Sequence, residues 1–211
     1  MAYFPFFIDI KGQKCLIAGG GMVAYRKVMV LKDYGPEITV VAPHMIPQLV
    51  EISQEESGSI HLVERLFEDS DLEGVDFVVA GTDDEALNRR ISQMCHERKL
   101  PVNVVDVQDE CSFIFPALMK EKDITIGIST GGSSPIIAQE LKKRFQKVIP
   151  EGIGHLSAEL GSYRKLVKSR VDQQPVRAEI FREMADTGIR QGGVLAEDQV
   201  LEIIDKKLKG L

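Results

Sequence analysis

The sequence is poor in the features that mark secreted and membrane-spanning proteins. It has only three cysteines in 211 residues, and they form no CxxC pair. We therefore expect buried or partly buried free thiols in a reducing, cytoplasmic setting. No apolar run approaches the roughly 20 residues that a membrane-spanning helix needs. The opening residues, MAYFPFFIDIKG, lack the basic start and the small-residue cleavage site of a signal peptide, so neither a leader nor a membrane segment is expected.

An overall excess of basic residues is also missing. The net charge of −6 argues against a nucleic-acid partner. The charge is uneven, however, because residues 1–134 carry a net −9, whereas residues 142–170 hold eight basic and two acidic side chains. This basic stretch suits a smaller anionic partner, and a solvated helix face is the alternative interpretation.

Short apolar runs alternate with helical patterns over the first hundred residues. The runs are rich in Val, Ile, Leu and Ala with little polar alternation, which is typical of parallel strands buried on both faces. Right-handed crossovers between such strands give a doubly wound, Rossmann-like α/β fold. The predicted strands are Cys15–Ala18, Ile38–Ala42, His61–Val63, Phe77–Ala80 and Val102–Val105, and the predicted helices are Val23–Tyr34, Pro47–Glu56 and Glu85–Lys99.

The pattern changes after Asp106. The segment SFIFPALMKEKDITIGIST predicts two strands joined by a polar turn at Lys120–Asp123, and the rest of the chain has a helical pattern with Ser134 as a helix cap. The sequence therefore predicts a Rossmann domain over 1–112, a small region with a β-hairpin over 113–150, and a helical domain over 151–211.

Residues 16–27, LIAGGGMVAYRK, place three glycines between a predicted buried strand and a helix. Gly19, Gly21 and Ala24 have the G-x-G-x-x-A spacing of a dinucleotide-binding turn. In such a turn the first glycine allows the tight bend, the second lets a pyrophosphate approach the backbone, and the small third residue lets the helix pack closely. The helix N-terminus would offer its free N–H groups to the phosphates. We predict a dinucleotide site here, with a purely structural turn as the alternative.

One part of this fingerprint is missing. A carboxylate for the adenosine ribose is expected about 20 residues further on, at the end of the second strand. Residues 38–47 read ITVVAPHMIP and contain no carboxylate, and they contain no Lys or Arg to hold a 2′-phosphate. This favours NAD over NADP as the cofactor. Ribose contacts would come from the backbone or from His44, which is otherwise an ordinary loop histidine.

The chain resembles the precorrin-2 dehydrogenase/sirohydrochlorin ferrochelatase family of siroheme synthesis in six ordered segments: GGGMVAYRK, ITVVAP, GTDDEALN, NVVD, SFIFPA and ISTGGSSP. The resemblance runs from Phe6 to about Pro150 and is to the short, stand-alone form, similar to the N-terminal part of siroheme synthase. It implies a cytoplasmic homodimer with an intertwined dimerisation region and a helical domain over the substrate. It also implies oxidation of the tetrapyrrole precorrin-2 to sirohydrochlorin by NAD+, and in some members insertion of Fe2+ to give siroheme.

The resemblance also implies roles for individual residues. Asp106, in NVVD, would be the key acidic residue. The loop in ISTGGSSP would lie at the substrate cleft. The residues implied to contact the dinucleotide are Met22, Val23, Pro43, His44, Thr82 and Asp83, and those implied to contact the substrate are Ser129, Thr130, Gly131, Gly132 and Ser133.

The position of Asp106 suits a general base on physical grounds. It follows the predicted strand Val102–Val105, and ligands of open α/β sheets bind outside the carboxyl ends of the strands. The oxidation removes a hydride and a proton, and a carboxylate there could take the proton. Metal insertion also requires removal of two pyrrole protons, so one Asp could serve both reactions. The alternative is a helix cap or a turn former.

The sequence shows no HxxxH or CxxC cluster, so no metal site is predicted. His155, in EGIGHLS, is the one histidine considered as a proton shuttle or transient ligand. Two other functions stay open. A regulatory NAD-binding module would carry an acidic residue after the second strand, where this chain has Ala42-Pro43. A dehydrogenase of another anionic small molecule would share the fold and bind no tetrapyrrole.

Overall fold

The computed structural model describes residues 3–209, which form two compact units meeting in sequence between Phe115 and Pro116. The first unit is an α/β domain, and the second contains a hairpin and helices. The α/β class, the hairpin and the helical tail are as the sequence predicts. The three-part division at residues 112 and 150 stays a prediction.

The first unit is built on a five-stranded parallel sheet with the order β3-β2-β1-β4-β5. This order places β1 at the centre and lets crossovers run outward in both directions. The strands lie within a residue or two of their predicted bounds: β1 Lys14–Ala18, β2 Glu37–Ala42, β3 Ile60–Glu64, β4 Phe77–Ala80 and β5 Val102–Val104.

The central strands are apolar because both faces of the sheet are covered. Along β1, Cys15 and Ile17 belong to one buried cluster, whereas Leu16 and Ala18 belong to another. Successive side chains of a strand point to opposite faces, so a strand covered on both sides needs no polar alternation. Helix α1 (Met22–Leu31) and helix α2 (Pro47–Glu55) pack on the first cluster, and helix α3 (Glu85–Glu97) packs on the second.

The first helix is shorter than the sequence pattern suggests. Helix α1 ends at Leu31, and Lys32–Tyr34 continue as one 3-10 turn. Gly35 then closes the turn with a φ of 74°, a conformation that costs glycine little. The apolar periodicity continues through this turn, which explains why the sequence predicts a single helix.

The second unit begins with the predicted hairpin, β6 (Ala117–Glu121) and β7 (Ile124–Ile128). The strands pair antiparallel, with Glu121 opposite Ile124, so the connection is a two-residue turn. Lys122 has a φ of 52° in that turn, as the hairpin twist requires. Strand β6 starts directly after Pro116. The preceding Phe113 and Phe115 pack against the core of the first unit.

Helices complete the second unit and enclose a core of their own. Helix α4 packs on the hairpin, and its N-terminus is capped by Ser134, as predicted, with Oγ accepting a hydrogen bond from the Ile137 N–H at 3.3 Å. The helices are α4 Pro135–Val148, α5 Ile153–Ser162, α6 Arg164–Arg170, α7 Gln174–Arg190 and α8 Glu197–Lys209. Between residues 3 and 209 no helix has the length and apolar character needed to cross a membrane.

The Asp84 cap of helix α3 gives a test of local stability. Asp84 Oδ1 accepts from the N–H groups of Ala86 at 2.9 Å and Leu87 at 3.1 Å. We expect Asp84→Ala to lower the free energy of unfolding by about 1 kcal/mol, the usual effect of losing an N-cap. Chemical denaturation measures this. Asp83→Ala removes a neighbouring exposed carboxylate that caps no helix and should cost under about 0.5 kcal/mol; equal losses in the two variants would contradict the capping role.

Candidate functional site

The glycine turn after β1 is compact because backbone meets backbone there. Gly19 has a φ of 122°, and a Cβ on it would lie 2.3 Å from the Gly81 carbonyl oxygen. Side chains do not fit at such a separation, so Gly19 is needed for both its conformation and its contact. The tight bend predicted at this position is therefore present, and the turn after β4 packs against it.

Gly20, which the sequence motif leaves unassigned, is equally constrained. A Cβ on it would lie 2.1 Å from the His44 carbonyl oxygen. The Gly20 carbonyl in turn accepts a hydrogen bond from the Ile46 N–H at 3.0 Å. The middle glycine of GGG therefore fixes the loop after β2 against the turn after β1. The available signal was a glycine at the variable position between Gly19 and Gly21, but the G-x-G-x-x-A motif assigns no role to that position.

Gly21 faces open space, which is what a dinucleotide requires. A Cβ built on Gly21 would meet nothing within 4 Å, and among the described residues no side chain caps helix α1 there. The first N–H groups of that helix thus remain available to an anion. Met22 and Val23 are exposed beside them, and Ala24 is buried against the sheet. The turn therefore has room for a pyrophosphate, and contact of these residues with a dinucleotide stays a prediction.

The other predicted cofactor residues lie at the same edge of the sheet. Pro43 and His44 follow β2 and are exposed, and Thr82 and Asp83 follow β4. The glycine turn follows β1. Because the strands are parallel, these loops all emerge at their carboxyl ends, where open α/β sheets bind ligands. Contact of these four residues with a dinucleotide stays a prediction.

Thr82 also has a structural role that involves Asn88, which sequence reasoning missed. The Thr82 N–H and hydroxyl donate to Asn88 Oδ1 at 3.0 and 2.8 Å. The Asn88 side-chain amide donates back to the Thr82 carbonyl at 2.9 Å. Asn88 is buried on helix α3, so it ties the start of that helix to the loop after β4. The signal was an asparagine on the apolar side of a predicted helix.

Asp106 lies at this same edge, on the turn that follows β5. It is exposed and has a φ of 61°, one of three non-glycine residues between 3 and 209 with a positive φ. Asp and Asn tolerate this left-handed conformation better than most residues, at a cost of about 1 kcal/mol or more. The turn thus presents a carboxylate to solvent two strands away from β1 in the sheet.

Two buried groups hold the Asp106 turn in place, and both were missed from the sequence. The Cys111 thiol accepts from the Val104 N–H at 3.1 Å and lies 3.2 Å from the Val104 carbonyl oxygen. The Asn103 side chain donates to the Phe113 carbonyl at 3.0 Å. These contacts close the base of the loop around Asp106. The position of Cys111 in the sequence does not indicate this contact with β5.

The other two cysteines are packing residues. Cys15 lies on β1 and Cys95 on helix α3, and all three cysteines are buried and unpaired, as predicted. Burial raises the pKa of the Cys95 thiol to about 11 and raises that of Cys15 further still. Both thiols are therefore protonated near neutral pH and are poor nucleophiles.

Lys27, on the second turn of helix α1, contacts the segment that follows the Asp106 loop. Its ammonium lies 3.8 Å from the centre of the Phe115 ring, a cation–π contact. Burial lowers the pKa of Lys27, while the Cys111 thiol and the Asp106 carboxyl act in the opposite direction. No carboxylate in the described part of the chain lies within salt-bridge distance of it.

The predicted substrate loop lies in the second unit, between β7 and helix α4. Gly131 and Gly132 have φ values of 62° and 88°. Ser129 Oγ accepts from the Gly131 N–H at 3.1 Å, and Thr130 Oγ1 accepts from the Ser134 N–H at 3.1 Å. These two hydroxyls therefore act in the turn itself. Substrate contacts from Ser129 to Ser133 stay a prediction.

His155 contacts a lysine and takes part in no metal cluster. Its Nδ1 lies 2.7 Å from Lys122 Nζ, at the hairpin turn. The ammonium can only donate, so Nδ1 accepts and the ring proton is on Nε2. Over residues 3–209 no group of three His, Cys, Asp or Glu side chains could hold a metal ion.

Comparison with known proteins identifies the first unit. Residues 6–117, more than half of the chain, match a family model described as "Putative NAD(P)-binding". The chain belongs to this NAD(P)-binding family. The match covers the glycine turn, the loops after β2 and β4, and the Asp106 turn, so all the loops at the carboxyl edge lie inside the matched region.

Curated relatives and one solved structure are similar over most of the chain. A siroheme synthase of Thioalkalivibrio sulfidiphilus is 37% identical over 210 residues, which are 99% of this chain and 42% of the relative. A siroheme synthase of Nitrosospira multiformis is 38% identical over 87% of this chain and 39% of its own length. The chain thus spans about two fifths of these relatives. The structure of SirC, a precorrin-2 dehydrogenase, has the same fold, with a TM-score of 0.74 and 24% identity over 98% of this chain and 100% of that one.

A charge introduced at the glycine turn tests the cofactor site. Gly21→Asp places a carboxylate at the end of helix α1 where the pyrophosphate is expected. Repulsion should weaken NAD+ binding at least tenfold, since two like charges at 4 Å repel by about 4 kcal/mol near a protein surface. Calorimetric titration with NAD+ measures the affinity.

Gly21→Asn is the matched control, because it has the same size and no charge. Asp and Asn are both good N-caps, so neither variant should lose thermal stability. NAD+ affinity unchanged in Gly21→Asp, or reduced equally in both variants, would show that charge at this position does not meet the phosphates.

Proposed function

We propose that this chain is an NAD-dependent precorrin-2 dehydrogenase of siroheme biosynthesis. The chain belongs to an NAD(P)-binding family, and the absence of Lys or Arg in the loop after β2 favours NAD over NADP. The relatives named siroheme synthase and the fold of SirC point to the tetrapyrrole substrate. The observation that carries the proposal is the exposed Asp106 carboxylate at the same sheet edge as the glycine turn.

The chemistry assigned to the chain is removal of a proton. Oxidation of precorrin-2 to sirohydrochlorin removes two electrons and two protons, and bound NAD+ supplies the acceptor for the hydride. In this proposal the Asp106 carboxylate takes the remaining proton and then returns it to solvent. The left-handed turn holds that carboxylate outward, and the thiol of Cys111 and the amide of Asn103 keep the turn in place. A general base is effective when it is fixed within reach of the proton it removes.

The second unit supplies the charge that a polycarboxylate substrate needs. Helix α4 carries Lys142, Lys143, Arg144 and Lys147, part of the basic stretch from 142 to 170. The loop from Ser129 to Ser133 leads into the same helix. We assign the loop and these cations to substrate binding, because clustered positive charge raises the local concentration of an anionic ligand.

We extend the proposal to Fe2+ insertion by the same carboxylate. The reaction removes two pyrrole protons, and Asp106 is placed to accept them for the same reason that it can act in the oxidation. Fe2+ is here a substrate that enters the tetrapyrrole, so the chain itself need not hold the ion in a dedicated site. Adding Fe2+ to the dehydrogenase assay and following the siroheme spectrum tests this step.

We also infer a homodimer that forms through helix α4. Four apolar side chains on that helix follow one another at helical spacing and are exposed: Ile137, Leu141, Phe145 and Val148. Spacing of four, four and three residues places them on one face. An apolar stripe of this length on one helix is typical of an interface with another chain. The intertwined dimerisation region implied by the sequence resemblance includes this helix.

The decisive experiment concerns Asp106. We expect Asp106→Asn to bind NAD+ as the wild type does and to lose about 100-fold or more of its turnover, the usual contribution of a general base. Asn accepts the left-handed conformation, so the turn should keep its shape. Anaerobic incubation with freshly generated precorrin-2 and NAD+, followed by NADH absorbance and the tetrapyrrole spectrum, measures the rate.

Asp109→Asn, an exposed carboxylate in the same loop, is the control and should keep full activity. Wild-type turnover in Asp106→Asn would remove Asp106 from the chemistry. A wild-type protein that binds NAD+ and leaves precorrin-2 unchanged would favour a dehydrogenase of another anion or a regulatory NAD-binding module.

The dimer is tested by a charge in the apolar stripe. We expect Leu141→Glu to convert the dimer to a monomer, because a buried unpaired carboxylate is costly at an apolar interface. Light scattering after size-exclusion chromatography measures the mass. Gln139→Glu adds the same charge on the opposite face of helix α4 and should leave the mass unchanged. A dimer that survives Leu141→Glu would place the interface elsewhere.

A further inference from the structure

The backbone groups at the end of β4 point alternately to its two neighbouring strands. The Ala80 carbonyl accepts from the Val105 N–H at 2.9 Å, on the side of β5. The Gly81 N–H donates to the Ala18 carbonyl at 2.9 Å, on the side of β1. This alternation arises because the N–H and C=O of one trans peptide group point in opposite directions. If the chain stays extended, Thr82 directs its backbone groups to the side of β5 again.

The side chain of Asn88 takes the place of a strand beside Thr82. The Thr82 N–H donates to Asn88 Oδ1 at 3.0 Å, and the Asn88 amide donates to the Thr82 carbonyl at 2.9 Å. Exchange of both bonds is typical of paired residues in antiparallel strands, and here a side-chain amide supplies one half of the pair. The Thr82 hydroxyl adds a third bond, to Oδ1 at 2.8 Å. Asn88 is only 7% exposed, so water competes little for these bonds.

This pairing fixes the direction of the next peptide group. The Thr82 carbonyl points to Asn88, and all peptide bonds between residues 3 and 209 are trans. The Asp83 N–H therefore points the opposite way, to the side on which Gly81 bonds to β1. Within the described part of the chain, no backbone or side-chain acceptor receives this N–H. An exposed residue thus presents a free donor of fixed direction at the edge of the sheet.

The side that the Asp83 N–H faces is where a ligand is expected. The sheet order β3-β2-β1-β4-β5 reverses its direction of growth between β1 and β4. Open α/β sheets bind ligands at such a switch point, outside the carboxyl ends of the strands. The glycine turn after β1 lies on one side of this point, and the loop with Asp83 lies on the other. The two meet at their base, where a Cβ on Gly19 would lie 2.3 Å from the Gly81 carbonyl oxygen.

The helices that follow these two loops differ in what they offer an anion. Helix α1 has no side-chain cap among the described residues, so its first N–H groups are open to the pyrophosphate. Helix α3 is capped by the Asp84 carboxylate, which accepts from the N–H groups of Ala86 and Leu87. A phosphate would meet that negative charge. The loop after β4 is therefore suited to one directed hydrogen bond to an uncharged oxygen.

We propose that Asn88 is a positioning residue that fixes the Asp83 N–H as a hydrogen-bond donor to an uncharged oxygen of the bound dinucleotide. A ribose hydroxyl and the nicotinamide carboxamide both supply such an oxygen. The proposal rests on the dinucleotide site of the proposed function and does not involve the tetrapyrrole. Asn88 acts through the peptide group between Thr82 and Asp83 and need not touch the cofactor. Without Asn88 that peptide group can rotate, and the donor loses its direction.

Amide hydrogen exchange of the wild-type protein tests the bond directly. The Asp83 N–H should exchange rapidly in the free protein, because it has no protein acceptor. Saturating NAD+ should slow this exchange at least about tenfold. ADP-ribose locates the acceptor, since equal protection by ADP-ribose places it on the ribose and protection by NAD+ alone places it on the carboxamide. An Asp83 amide that exchanges equally fast with and without bound NAD+ would overturn the proposal.

A pair of alanine variants separates positioning from stability. Asn88→Ala removes the three bonds to Thr82. Ser92→Ala removes a bond made by the same helix, from Ser92 Oγ to the Glu110 carbonyl at 2.9 Å. Both side chains are buried, so both variants should lower the melting temperature by a few degrees. Calorimetric titration should show about a tenfold loss of NAD+ affinity in Asn88→Ala, as expected for one lost hydrogen bond, and less than about a twofold loss in Ser92→Ala.

Equal losses of NAD+ affinity in the two variants would contradict the positioning role, because they would indicate a general effect of destabilising helix α3. Unchanged affinity in Asn88→Ala would contradict it as well. If Asn88→Ala does not fold, the exchange of the Asp83 amide in the wild type still decides. Wild-type protein that binds no NAD+ would refute this inference together with the proposed function. A protected Asp83 amide without oxidation of precorrin-2 would refute only the proposed substrate.

Discussion

The close backbone contact between three strand-end loops is the constraint on which the rest of the site depends. Gly19 meets the Gly81 carbonyl, and Gly20 meets the His44 carbonyl, at separations that no side chain tolerates. These contacts pack the loops after β1, β2 and β4 directly against one another, backbone against backbone. Backbone N–H groups remain at the surface that the loops form. An anion can approach them because Gly21 leaves the space above helix α1 open.

The Asp106 turn meets a different demand, since it must expose a carboxylate while remaining rigid. Loops that expose polar groups are ordinarily mobile, because few buried contacts hold them. Here the buried contacts lie below the turn, at Cys111 and Asn103, and the exposed residue sits above them in a left-handed conformation. The strain of that conformation is offset by the hydrogen bonds at its base. The geometry thus separates the residue that is proposed to react from the residues that hold it.

Much of the fold could be predicted from the sequence, because burial on both faces leaves a strong apolar signal. Strand Phe77–Ala80 was predicted with its observed bounds, and the Ser134 cap follows from a local rule. The end of helix α1 at Leu31 could not be predicted, since apolar periodicity does not distinguish an α-helix from a closing 3-10 turn.

The residues of the candidate site likewise divide into those that could be predicted from the sequence and those that could not. Gly19, Gly21 and Asp106 follow from spacing and from the direction of a strand, which are properties of nearby sequence. Asn88 and Cys111 act through contacts with residues 6 to 7 positions away whose geometry depends on how a loop folds back. Lys27 contacts the Phe115 ring about 90 residues further along the chain, and only the packing of helix α1 beside the segment after β5 brings them together. Such contacts leave no periodic signal.

The charge of the chain is unevenly distributed along its sequence. The first 134 residues carry a net −9, which by itself would repel a polycarboxylate from the edge where Asp106 lies. Attraction of the substrate must then come from a small number of positive charges. Only nearby charges contribute, because salt screens exposed charges beyond about 8–10 Å. In the proposed function, the N-terminus of helix α1 binds the phosphates of the dinucleotide, and the basic stretch from 142 to 170 binds carboxylates of the substrate. Lys27 is a half-buried positive charge within the first unit itself, where its ammonium lies over the Phe115 ring. An acidic domain that binds an acidic substrate, as proposed here, therefore depends on such positive charges, and partly buried cations are screened less by salt than exposed ones.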